Sequence, residues 1–488
     1  MLFTDPTFLL IFLPLLLGLY FTSIWLSNPG PQKSVRELTR ANWVLLAACA
    51  GFYAYGGGPF TWVIVSAIAF NHGMAHAIDR TRRPLLLALS VAGNFALLGI
   101  LKYAMPVVDT TLDAGAFAVP QLLVPLGLSI FALHATSYLM DVYRGAAAPH
   151  RSPLHATIYL LFFPLLIAGP IVRYRDLDKQ LSHRIVGMAA FAYGVRRFVI
   201  GLGKTLLIAN TLAVPADVIF MLPATQLGTA HAWVGVTCFT LQVYFVLSGY
   251  ADMAIGIGRM LGFRLPDNFR GPYVADSLHE FWRRWNVTLI GWLRTYATLS
   301  LDTDRDGRMR SGGHLLMLFL LVGLWHSPGW NVVGWGLYHG IVVALERIGL
   351  GATLNRLPAL LRHAYVLLVV MLGWVVFRTD SVADTMLFLQ ALGGLNATAT
   401  TAAELPLTTT VLIALGLGAI GSAPLISWLS RWRVMLDAIT TSLLMVVSTT
   451  SRFAWRRGSD VVDALPRRRR DPESRPEGSG EDLSQDDS

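Results

Sequence analysis

The chain is expected to fold as an all-α polytopic membrane protein, on two observations. Of its 488 residues, 54% are hydrophobic and only 14% are charged, against about 25% charged in soluble globular domains. The deficit is spread along the chain in apolar runs. Many are long enough for helices that cross a bilayer, which need about 20 apolar residues each. The two cysteines, Cys49 and Cys238, lie in apolar runs. They have neither disulfide nor metal-ligand spacing and read as buried thiols, so no metal site is expected.

The first apolar run, 7–27, follows a start without basic residues, and the first Lys or Arg is Lys33. A cleaved leader needs a positive start and a small-residue cleavage site, so a retained first span is expected. Further candidate spans are 42–57, 60–79, 84–104, 121–140, 156–172, 186–209, 231–257, 314–348 (one element or two), 360–378, 406–429 and 434–450. They amount to roughly eleven to thirteen membrane helices or re-entrant elements. Run 156–172 carries Pro164 and Gly169-Pro170, which interrupt a helix. Irregular backbone at membrane depth survives only against protein or a cavity, so this segment is expected to border a cavity.

The formal charge is +9, but its basic residues sit in short loops. This is the pattern of membrane orientation, and no nucleic-acid partner is expected. Lys33, Arg36 and Arg40 follow the first span, Arg80, Arg82 and Arg83 the third, and Arg144 and Arg151 the fifth. The stretches 56–60 and 105–120 have no Lys or Arg. The positive-inside rule then puts the N-terminus outside and those basic loops in the cytoplasm. Arg173, Arg175, Lys179 and Arg184 read as cytoplasmic too, as do Arg452, Arg456, Arg457 and the run Arg467 to Arg470. Residues 466–488 mix that arginine run with many acids and a single Leu, which cannot bury a core. The expected organisation is a membrane domain over 1–458 and a charged, disordered cytoplasmic tail over 459–488. There is no internal repeat, which weighs against a transporter built from inverted halves.

Two segments could carry chemistry. Over 278–296 a single helix is expected. Phe281, Trp282, Trp285, Leu289, Trp292 and Tyr296 recur on one face, with Glu280, Arg283, Arg284 and Arg294 on the other. Such a helix serves as an interfacial anchor, or its arginines present a surface to an anionic ligand. Asn286 in the same stretch could position an imidazole or polarise a carbonyl, or satisfy a backbone group. The second segment is Gly323-Leu324-Trp325-His326-Ser327-Pro328-Gly329. An ionisable residue beside an apolar run at membrane depth usually faces a cavity, and imidazole suits proton abstraction. A satisfied structural histidine is the alternative. His339 is a candidate supporting residue. The Asp302-Thr303-Asp304-Arg305-Asp306-Gly307 stretch mimics a calcium loop, but the twelfth position is Gly313, where a bidentate Glu is needed.

Several segments together resemble a known family. They are Val124-Pro125-Leu126-Gly127-Leu128-Ser129 running to Asp141-Val142-Tyr143-Arg144-Gly145, and Phe162-Phe163-Pro164 running to Ala168-Gly169-Pro170. Ser248-Gly249-Tyr250-Ala251-Asp252 follows with Phe281-Trp282-Arg283-Arg284-Trp285, then Gly323-Leu324-Trp325-His326 and Leu372-Gly373-Trp374 to Phe377-Arg378. In this order, over roughly residues 1–450, the chain resembles the membrane-bound O-acyltransferases. The likeness is to their bacterial branch that acetylates alginate-like or cellulose-like polysaccharides, and to its D-alanyl-transferring relatives.

The resemblance implies a ring of helices around a central tunnel and an O-acetyltransferase of the inner membrane. His326 matches the family's essential histidine, and Asn286 would assist it. Arg283, Arg284, Arg294, Trp282, Trp285, Trp325 and His339 would bind or flank the donor, acetyl-coenzyme A, with no permanently bound cofactor. An exopolysaccharide would be the acceptor, directly or through a periplasmic transfer partner, with membrane lipids around the chain. The sequence departs from the family pattern at two places. Asn286 stands where a histidine is usual, and Phe245-Val246-Leu247 lacks the usual aspartate. The rival readings are a lipid-linked sugar transporter or flippase, and a non-enzymatic scaffold of a polysaccharide export complex.

Overall fold

A computed structural model of the protein describes residues 1–26, 35–58, 61–104, 127–149, 153–297, 312–327, 329–396 and 404–422. Among these residues there is no β-strand, and six helices are long and apolar enough to cross a membrane. In chain order the helices begin with α1 (Phe8–Trp25), α2 (Val35–Gly57), α3 (Thr61–Thr81) and α4 (Pro84–Lys102). Then come α5 (Leu128–Tyr143), α6 (Pro153–Leu166), α7 (Tyr174–Ser182), α8 (Met188–Phe220) and α9 (Thr229–Met260). The last are α10 (Leu278–Arg284), α11 (Val287–Tyr296), α12 (Gly312–His326), α13 (Trp330–Leu354), α14 (Ala359–Arg378), α15 (Val382–Leu392) and α16 (Thr409–Ser422). The run at 434–450, the Asp302 to Asp306 stretch and the tail over 459–488 lie outside the described residues.

The helices follow the apolar runs, with informative differences at their ends. The run 314–348 is two elements, α12 and α13. Helix α8 continues to Phe220 instead of stopping near residue 209. Asn210 and Thr211 imitate a helix end, but Leu212, Ala216 and Ile219 beyond them are buried and carry the helix on. Helix α6 is interrupted at Phe162, and after it the chain runs without helix to Arg173. That irregular stretch is held by protein, as irregular backbone in a membrane protein must be. Ile171 N donates to Thr288 Oγ1 at 2.9 Å, and Tyr159 Oη donates to Val172 O at 2.9 Å.

Two charged clusters tie the helices together. Asp141, fully buried in α5, accepts from Tyr296 Oη of α11 at 2.9 Å and from the backbone N of Arg175 at the start of α7 at 3.0 Å. Arg82, between α3 and α4, donates to Val142 O and Tyr143 O at 2.6 and 2.8 Å. Arg144 reaches Thr295 O at 2.8 Å. The turn after α3 therefore meets the C-terminal end of α5. Asp252 of α9 pairs with Arg197 and Lys204 of α8 at 2.6 and 2.7 Å, and Arg197 also holds Asp267 at 2.8 Å. Between α8 and α9 the backbones nearly touch. A Cβ at Gly194 would stand 2.6 Å from Gly256 O, and one at Gly201 2.5 Å from Gly249 O. Small residues allow such close approach, which gains packing where lipid offers no hydrophobic drive.

Candidate active site

The aromatic–arginine run occupies two helices, not the single helix expected over 278–296. The N-terminus of α10 is capped twice. Ser277 Oγ accepts from Glu280 N at 3.2 Å. The two carboxylate oxygens of Glu346 accept from Leu278 N and His279 N at 2.8 and 3.1 Å. The chain then turns at Asn286, with φ 45° and ψ 52°, a left-handed geometry that asparagine and histidine enter more readily than most residues. Asn268 holds the turn from outside. Its carbonyl accepts from Val287 N at 3.0 Å and its Oδ1 from Thr288 Oγ1 at 2.7 Å.

The aromatic face crosses this break because both helices pack on the same core. Phe281, Trp282, Trp285, Trp292 and Tyr296 are all buried. Trp285 lies 5.5 Å from the ring of Phe281 and 5.2 Å from that of Trp374. The face is thus packed within protein, which corrects the interfacial-anchor reading. Arg283 and Arg294 are exposed, and Arg284 is half-buried in an ion pair with Glu280 at 2.8 Å.

His326 is the last residue of α12. That end lies close against α13, because a Cβ at Gly323 would stand 2.7 Å from Val332 O. The imidazole Nδ1 is 2.7 Å from Val322 O. A carbonyl can only accept, so Nδ1 carries the proton and Nε2 is left with its lone pair. The ring packs edge-on against both Trp325 at 4.8 Å and Trp335 at 5.6 Å. Lys102, at the end of α4, donates from Nζ to Trp325 O, His326 O and Ser129 Oγ at 2.5, 2.9 and 3.2 Å.

His326 and Asn286 border one cavity of about 310 Å³. Its walls include Trp285, Trp325, Trp335, Trp374 and Asn268. Gly169 and Ile171 border it too, as expected of the interrupted segment. Val246, the site of the second departure from the family pattern, also lies in the wall. Both departures therefore fall in one cavity, where the carboxylate position is apolar and the imidazole position is an amide. Asn286 Oδ1 and Trp335 Nε1 are buried and have no hydrogen-bond partner among the described residues. A second groove, apolar and about 630 Å³, runs between α4, α5, α11 and α12. Trp325 borders both spaces.

The remaining sequence candidates stand elsewhere. Trp282 and His339 pack behind the cavity, with their rings 5.1 Å apart, and do not border it. None of Arg283, Arg284 and Arg294 borders it either. Sequence reasoning missed Lys102 and Asn268. Lys102 had a signal, as the one charged residue in the run 84–102. Asn268 had none, since its role depends on a turn invisible in the periodicity.

Comparison with known proteins identifies the family. Residues 117–377 match the sequence model of the membrane-bound O-acyltransferase family, MBOAT. The chain is 37% identical over 392 residues to the probable alginate O-acetylase AlgI of Azotobacter vinelandii, covering 78% of this chain and 76% of that one. It is 37% identical over 393 residues to the protein of the same name from Pseudomonas aeruginosa, covering 78% and 72%. The peptidoglycan O-acetyltransferase of Helicobacter pylori is 31% identical over 433 residues, covering 81% and 80%. With its membrane-spanning helices, the chain belongs to the membrane-bound O-acyltransferase family and is a multi-pass membrane acyltransferase.

Proposed function

We propose that this protein transfers acetyl from cytoplasmic acetyl-coenzyme A toward an exported polysaccharide, with His326 as general base and Asn286 as its assistant. The observation that carries the reading is one cavity holding both residues, with Nδ1 of His326 committed to Val322 O. Nε2 then takes the proton of the acceptor hydroxyl as its oxygen attacks the thioester carbonyl. The C–O bond forms, the C–S bond breaks, and the imidazolium returns its proton to the leaving thiolate. The Asn286 amide donates to the thioester oxygen as charge develops there. Trp285 and Trp325 wall the reacting atoms from water, with Trp282 and His339 packed behind Trp335. Arg283, Arg284 and Arg294, outside the cavity, hold the phosphates of coenzyme A while the thioester arm reaches inward.

The names of the relatives support a polysaccharide hydroxyl as acceptor. A periplasmic partner that relays the acetyl group fits an acceptor built outside the membrane. Loop charge supports placement in the inner membrane, with the N-terminus outside and the C-terminal tail in the cytoplasm. The test is the acetyl content of the exported polysaccharide in cells whose only copy of the gene carries His326→Ala. Acetylation near zero, with the protein present in the membrane at its normal level, is expected. Normal acetylation would overturn the assignment.

A further inference from the structure

We infer that Lys102 is a positioning residue for acyl transfer: its ammonium holds the last turn of α12 and so sets where Nε2 of His326 stands in the cavity. The inference rests on the reading of His326 as the base. Lys102 is the only charged residue of α4. A lone ammonium in a membrane span is costly unless it is paired or faces water. Here its partners are two backbone carbonyls and one hydroxyl, and among the described residues no carboxylate pairs with it. Three acceptors match the three protons of an ammonium.

The carbonyls are those that need a partner. Helix α12 stops at His326, and the last carbonyls of a helix have no partner within it. A cation there also meets the negative end of the helix dipole. The same turn carries the Val322 carbonyl that holds Nδ1. The residue is therefore fixed at both ends, its ring by Val322 and its backbone by Lys102. The N-terminus of α5 joins the clamp. Ser129 Oγ accepts from Lys102, and Ser129 O accepts from Trp325 Nε1 at 3.3 Å. Removing the ammonium leaves two carbonyls without their donor and frees the turn to shift.

The test uses the full chain purified into lipid and compares wild type, Lys102→Met, Lys102→Gln, Lys102→Arg and His326→Ala. The readouts are kcat and KM for acetyl-coenzyme-A-dependent release of coenzyme A, with modification of His326 by diethyl pyrocarbonate followed by mass spectrometry. Lys102→Met is expected to lower kcat by about 10-fold to 100-fold, the scale of a base displaced by up to ~1 Å. KM should move by less than about threefold, and the rate of His326 modification should change. Lys102→Arg, which keeps charge and donors, should recover most of the loss. If Lys102→Met does not fold, the neutral donor in Lys102→Gln carries the same expectation with a smaller loss. Wild-type kcat and modification rate in a folded Met or Gln variant, with His326→Ala inactive, would overturn the clamp and leave the base assignment standing. An active His326→Ala would instead remove the base assignment, and the clamp with it.

Discussion

Replacing Gly323 by Ala tests whether the close crossing of α12 over α13 places His326, the proposed base. The added Cβ would lie 2.7 Å from Val332 O and 3.2 Å from Val333 Cα. Both partners are backbone, so no side chain can swing away, and the helices must separate by roughly 0.5–0.7 Å to reach ordinary contact. Ala for Gly in a helix contributes about 1 kcal/mol of stability. Overpacking a tight contact costs about 1–3 kcal/mol, so the net effect is a loss of about 0–2 kcal/mol. The chemical effect is expected to be larger than the thermal one. Gly323 sits in the last turn before His326, and a misplacement of ~1 Å can cost about 10²-fold, so a fall of about 10-fold in kcat is expected. Gly334→Ala in α13 is the control, because its Cβ would meet only Val376 Cγ1 at 3.9 Å. Both variants should be compared in lipid for kcat and in detergent for thermal midpoint. Wild-type kcat in Gly323→Ala would refute the argument that this crossing sets the site.

Three other outcomes are expected. Asn286→Gly keeps the left-handed turn at no steric cost, so it should fold like wild type yet lose at least about 10-fold in kcat. A fully active Asn286→Gly would mean that the amide only shapes the backbone. Asn286→Ala should show the same kinetic loss and, in addition, about 1–2 kcal/mol of instability from left-handed strain; equal thermal midpoints for the Gly and Ala variants would contradict this. Asp252→Asn removes the carboxylate partner of Lys204 and one of the two carboxylates that pair with Arg197, whose side chains are 26% and 24% exposed. Partial solvation of those cations brings the expected loss to about 2–3 kcal/mol, below the about 3–5 kcal/mol of a fully buried pair. Unchanged detergent stability would show that the cluster is not holding α8 to α9.

The membrane spans were legible because hydropathy and span length are both fixed by the bilayer, and Pro328 with Gly329 marked the division of 314–348. The interruption of the segment after α6 was legible from Pro164 and Gly169-Pro170. The break at Asn286 was not. The burial of Trp285 and Leu289 continues through it, so aromatic recurrence imitates one unbroken helix. The proposed base, His326, was visible as a histidine at the end of an apolar run. Its cavity was not, because Asn268, Val246 and Ile171 come from separate segments that only tertiary packing assembles. Lys102 was readable in principle, as a charge in an apolar span, but which carbonyls it serves depends on where α12 ends. The pairing of Asp252 with Arg197 and Lys204 is likewise a matter of two helices meeting along their glycines.

The central claim is that His326 draws the proton from the acceptor as acyl leaves the thioester. The most direct measurement is release of free coenzyme A from acetyl-coenzyme A by the purified protein in lipid, wild type against His326→Ala, with and without the exported polysaccharide. Release by the wild type that rises with acceptor and falls by at least about 10²-fold in the variant is the predicted result. Equal release by the two proteins, at equal folding, would contradict the account.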